Sequence, residues 1–147
     1  MLFFQRIVEN EVLYVTLLCW FIAQVLKVII TLITEKRINI YRFVGSGGMP
    51  SSHSALVMGL STAIGLKEGW ESPQYAIALS FALIIMYDAS GVRRAVGKQA
   101  MILNQMIADR QKHKPIGEKR LKELIGHTPV EVIAGAILGI FIANMVI

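Results

Sequence analysis

Cysteine is almost missing from this chain of 147 residues. Cys19 is the only one and lies inside an apolar run, so no disulfide framework can hold the fold. Charge is also scarce: 17% of residues are Asp, Glu, Lys or Arg, against 54% hydrophobic, and the mean hydropathy is +0.56. Those values exclude an ordinary soluble domain and fit a small membrane protein. There is no low-complexity segment and no internal repeat, which sets aside linkers and repeat arrays. A secretory signal is not expected, because the first apolar run is too long and no small-residue cleavage site follows it. The length suits one domain and not comfortably two, so residues 1–147 are read as a single integral-membrane unit.

What is present is a series of apolar runs. Residues 12–33 make 22 residues interrupted only by Gln24 and Lys27, about 33 Å of helix, enough to cross a bilayer core. Lys27 either snorkels toward the nearer surface, the blander and slightly favoured reading, or faces inward as a functional group. A second run, 54–66, is short for a span and rich in Ser, Ala, Gly and Thr, which suits a tilted helix or one buried among others. Trp70 follows it at an interface position. The third run, 74–87, ends in Asp88, and the blander reading of Asp88 is a helix-end ion pair with Arg93 or Arg94. Residues 91–126 are polar and basic, with Val92, Val96, Leu103, Met106 and Ile107 at helical spacing, as in an amphipathic helix on the membrane surface. The last run, 129–147, opens with Thr128 as N-cap, Pro129 at the first helical position and Glu131 at the third. The fold class read from this is all-α: about four transmembrane helices plus one interfacial amphipathic helix.

Between the first two runs stands Gly47-Gly48-Met49-Pro50-Ser51-Ser52-His53. Glycines admit close backbone approach, and Ser51 or Ser52 can cap a helix starting near His53. Such a turn is most often only a turn, but it can also hold a phosphate at the helix mouth. Four alternating spans bring this stretch, the Asp88–Arg94 end of the third run and His127 to one face, with both chain ends on the other. That face carries 12 of the 15 Lys and Arg residues, while the opposite face has only Arg6 and Lys67. Two histidines among cations make a poor metal site and a good phosphate site, in which one histidine is nucleophile and the other general acid. His113, in a Lys-rich stretch, reads as solvated.

The stretch Gly-Met-Pro-Ser-Ser-His-Ser ending at Ser54 resembles the Pro-Ser-Gly-His signature of the type 2 phosphatidic acid phosphatase superfamily, which includes the vanadium haloperoxidases. Gly126-His127-Thr128-Pro129-Val130-Glu131-Val132-Ile133-Ala134-Gly135 is similar to its last motif, His-x-Pro-x-Asp-Val followed by a glycine. Asp88-Ala89-Ser90-Gly91-Val92-Arg93-Arg94 completes the pattern of the divergent branch of small bacterial and plant membrane proteins. The resemblance covers about residues 20–140. It implies that His127 attacks phosphorus, that Glu131 orients it as the family's Asp does, and that His53 protonates the leaving oxygen. It also implies that Ser51, Ser52 and Gly48 hold phosphate oxygens, with Asp88 and Arg94 beside them. Arg93 replaces an arginine six residues before the nucleophile, where Leu121 stands here. Lys27 and Arg37 stand in for the lysine and arginine of the first motif. Glu131 reads equally as half of a capping box.

The implied activity is hydrolysis of a membrane lipid phosphate, a phosphomonoester or diphosphate, without cofactor or divalent metal. The expected partners are the bilayer and an amphiphilic phosphate substrate, and not nucleic acid. Phosphatidic acid, phosphatidylglycerol phosphate and polyprenyl phosphates or diphosphates all fit. Short cytoplasmic loops collect Lys and Arg, so the expected place is the cell membrane with the site facing the cytoplasm. The alternatives are a degenerate member that binds anionic lipid or a partner, and a membrane scaffold built on the basic stretch.

Overall fold

The computed structural model describes residue 7 and residues 9–36, 48–111 and 127–147, without the side chains of residues 35, 92–94 and 109–111. Among the described residues the regular structure is helical: α1 Glu11–Glu35, α2 Ser52–Glu68, α3 Pro73–Ser90, α4 Val92–Gln111 and α5 Pro129–Val146. The polar residues flanking the apolar runs set the helix starts. Asn10 Oδ1 accepts the Leu13 N–H at 3.0 Å, and Ser72 Oγ accepts that of Tyr75 at 3.2 Å. Ser51 caps α2 through the Ser54 N–H at 3.4 Å, so that helix begins at Ser52, two residues before the apolar run does. Glycine at φ +91°, a conformation that L side chains rarely adopt, ends α2 at Gly69.

Among the described residues, three helical runs are long and apolar enough to cross a membrane: Glu11–Thr34, Pro73–Ala108 and Pro129–Val146. The remaining helix, α2, is the axis of the bundle and packs against α1, α3 and α5. Its burial explains its weak hydropathy. A helix wrapped by other helices meets little lipid, and small residues let the neighbours approach. Ser54, Ala55, Gly59, Ser61, Thr62, Ala63 and Gly65 are all buried. The partners offer matching faces: Val15, Cys19, Ala23 and Lys27 of α1, Ala78, Ala82 and Ala89 of α3, and Val132, Gly135, Gly139 and Ala143 of α5. A Cβ on Gly139 would run into the Ala55 carbonyl, and one on Gly135 into that of Ser51. The large apolar side chains point outward, among them Phe21, Ile33, Ile77, Phe81, Ile137 and Phe141. Apolar outside and small or polar inside is the arrangement of a protein solvated by lipid.

α4 continues α3 past Gly91, whose ψ of −79° departs from helical geometry although its N–H still reaches Tyr87 O at 2.8 Å. The combined run of 36 residues would measure about 54 Å, longer than a bilayer core of about 30 Å. α4 is amphipathic, with Gly97 and Asn104 buried on one side and Val96, Leu103 and Met106 exposed on another. Trp70 is half exposed and meets Tyr75 edge-on at 5.1 Å. At the end of the bundle where α1 starts, Glu11 pairs with Lys67, and both line one cleft with Val146. The other end gathers the start of α2, the end of α3 and the start of α5.

Candidate active site

The site grows from three backbone joints at that second end. The Ser51 N–H donates to Glu131 O at 3.0 Å, the His127 N–H donates to Ala89 O at 3.1 Å, and Ser51 O lies against Gly135. These joints lock the turn before α2, the end of α3 and the start of α5 together, and they fix where the side chains of residues 51–53 and 127–131 meet. The peptide bond Met49–Pro50 in this turn is cis.

His127 is 2% exposed, and Glu131 Oε2 lies 3.0 Å from its Nδ1. The same carboxylate oxygen accepts the Thr128 N–H at 3.0 Å, while Thr128 Oγ1 accepts the Glu131 N–H at 3.3 Å. The capping box and the contact with His127 therefore share one carboxylate oxygen, so the capping reading of Glu131 is seen directly and the orienting reading is compatible with it. A carboxylate at Nδ1 makes that nitrogen the donor and directs Nε2 as the basic one. His53 stands across from it, exposed, with ring centroids 6.3 Å apart and planes at 62°.

Lys27 corrects the favoured snorkelling reading. It is 1% exposed and faces inward. Its Nζ donates to Gln24 Oε1 at 2.9 Å and to Ser52 Oγ at 3.5 Å. Gly48, at φ +91°, leaves room for the Lys27 stem, which a Cβ there would approach to 3.4 Å. Inward burial follows from helix geometry, because Gln24 and Lys27 are three residues apart on the face that meets α2. Ser51 and Ser52 are both buried, and Ser54 Oγ donates to Ser51 Oγ at 3.0 Å. Asp88 is half-buried near the end of α3, next to the Ala89 whose carbonyl holds His127. Arg93 and Arg94 fall in the first turn of α4, their side chains outside what is described. Arg37, Gly47, His113, Leu121 and Gly126 lie outside the described residues.

The structure thus brings together His53, His127, Glu131, Ser51, Ser52, Gly48 and Lys27. Gln24, Thr128 and the Ala89 carbonyl were not singled out for the site by sequence. Gln24 carried a signal in its spacing from Lys27, and Ala89 carried none. Chemically the group offers a basic imidazole fixed by a carboxylate, a second imidazole within reach, a buried ammonium and a serine hydroxyl.

Residues 8–142 match the model of the family described as the divergent PAP2 family. The chain is 40% identical to an uncharacterized membrane protein, YuiD of Bacillus subtilis (strain 168), covering 82% of this chain and 83% of that one. No solved structure gives a significant match.

Proposed function

Because the chain belongs to the divergent PAP2 family, we propose that it is a membrane lipid-phosphate phosphatase acting through a phosphohistidine. The observation that carries this is His127 held at Nδ1 by Glu131 with His53 facing it. His127 Nε2 attacks phosphorus, the P–N bond forms and the bond to the leaving oxygen breaks. His53, protonated, gives that oxygen its proton. Glu131 stabilises the imidazolium character that His127 gains. Lys27, Ser52 and the N-terminal turn of α2 hold the equatorial oxygens, with Arg93 and Arg94 as further cations. Water, losing its proton to His53, then attacks the phosphohistidine, releasing phosphate and restoring Nε2.

The substrate is an amphiphilic phosphomonoester or diphosphate, since the site opens from a bundle solvated by lipid. The site faces the cytoplasm of the cell membrane, as the 12-to-2 bias in Lys and Arg supports. A second reading, binding of anionic lipid without chemistry, draws on one departure: Leu121 stands where the family has an arginine. Phosphate release from a panel of lipid phosphates by purified protein separates the two. Release that falls in both His127→Ala and His53→Ala supports hydrolysis, and equal silence of all three proteins supports binding alone.

A further inference from the structure

The three helices around α2 do not close a ring. α1 touches α5 and α5 touches α3, but α1 and α3 do not touch among the described residues. The edge of α2 left between them has a definite composition. His53, Leu56, Leu60 and Ile64 are spaced by three, four and four residues and so line up along one side of the helix. His53 is exposed and the three apolar residues are half-buried, in a helix otherwise mostly buried. At the head of this edge sit Ser52 and the Lys27 ammonium. The edge runs from there toward the middle of the bundle.

Depth makes the edge meaningful. α1 continues for eight residues past Lys27 to Glu35, about 12 Å. In those turns Ile29, Leu32 and Ile33 are 45%, 44% and 70% exposed. Exposed apolar turns of a membrane helix belong in hydrocarbon, so the bilayer extends beyond the level of Lys27. A phosphate that reaches Lys27 has therefore sunk below the headgroup plane. An amphiphile attached to it has its chain beside the protein, below Ser52.

We propose that the α2 edge between α1 and α3 is a lateral groove for the hydrocarbon chain of an amphiphilic phosphate. The phosphate sits against Lys27 and Ser52 beside His53, and the chain lies along Leu56, Leu60 and Ile64. This rests on the reading of the same end as a phosphate site, but not on turnover.

Photolabelling of the full chain in lipid nanodiscs tests the groove. The probes are phosphatidic acid and a prenyl phosphate, each with a diazirine in its chain, beside a matching phosphatidylcholine. Either phosphate probe is expected to label residues 56–64 about tenfold more than phosphatidylcholine does, the worth of one charged hydrogen bond. Which of the two gives the excess identifies the chain type. Lys27→Met removes the excess, and so does Leu60→Trp, while labelling of the outward Ile137 and Phe141 stays equal for all probes. Equal labelling of residues 56–64 by all three probes, or an excess that survives Lys27→Met, overturns the groove. A protein that shows the excess but releases no phosphate keeps the groove and loses the hydrolase reading.

Discussion

Glu131 does two jobs with one oxygen, and its substitutions separate them. Glu131→Gln keeps a side chain able to accept the Thr128 N–H but cannot also serve as an anionic acceptor at His127 Nδ1. The expected result is a drop in kcat of about a hundredfold with little change in thermal midpoint. Thr128→Val removes the hydroxyl that accepts the Glu131 N–H and costs about 1 kcal/mol of stability, whereas Thr128→Ser restores it. Thermal unfolding in detergent reads both. Lys27 gives the opposite pattern. Lys27→Met keeps the apolar stem beside Gly48 and removes a buried ammonium, so stability holds or rises while KM for a lipid phosphate rises about tenfold. A kcat loss at unchanged KM would remove Lys27 from substrate binding. The sequence showed His53, His127 and the serines by their order in the chain. It did not show the inward turn of Lys27, because an apolar helix looks alike on its lipid and protein faces and the ammonium alone fits either.

At the scale of elements, α2 sits at the axis because most of what α3 and α5 bury against it is small, Ala78, Ala82 and Ala89 on one side and Gly135, Gly139 and Ala143 on the other. Gly139→Val drives a side chain into the Ala55 carbonyl and the backbone of Gly59, so α5 must move off α2. The expected cost is about 1–3 kcal/mol with loss of activity, since the same pair of helices is joined at the site end by the Ser51 N–H to Glu131 O hydrogen bond. Ile137→Val on the outward face of α5, 62% exposed, should change the stability by no more than about 0.5 kcal/mol. If both substitutions have the same effect, the glycine face is not the packing face. Four of the five helices were legible in the runs of apolar residues, within a few positions at each end, and α4 in the helical spacing of Val92, Val96, Leu103, Met106 and Ile107 within a basic stretch. The central place of α2 was legible only as a shortage: too few apolar residues for lipid and too many small ones for a loop. Which neighbours would touch was not legible, because α1, α3 and α5 are similarly apolar and only backbone joints such as His127 to Ala89 decide their order.

For the whole molecule, the proposed cytoplasmic orientation of the site rests on the uneven charge of the sequence and makes a prediction. If the 12 cations that counting spans assigns to the site side are cytoplasmic, a reporter fused after Ile147 should be active only in its exported form, and a cytoplasm-dependent reporter there should be silent. The reverse result would turn the site outward. The convergence of distant segments was foreseeable from counting spans. The meeting of Lys27 with Ser52, and of His53 with His127, needed the packed bundle. The central claim is that His127 carries the phosphoryl group, and one measurement addresses it most directly. Purified protein is mixed with a ³²P-labelled lipid phosphate in the presence of chelator, quenched in alkali and digested. The account predicts an alkali-stable, acid-labile label on the peptide holding His127, absent in His127→Ala, together with phosphate release that the chelator does not abolish. Phosphate release that continues in His127→Ala, or a label on any other residue, would contradict it.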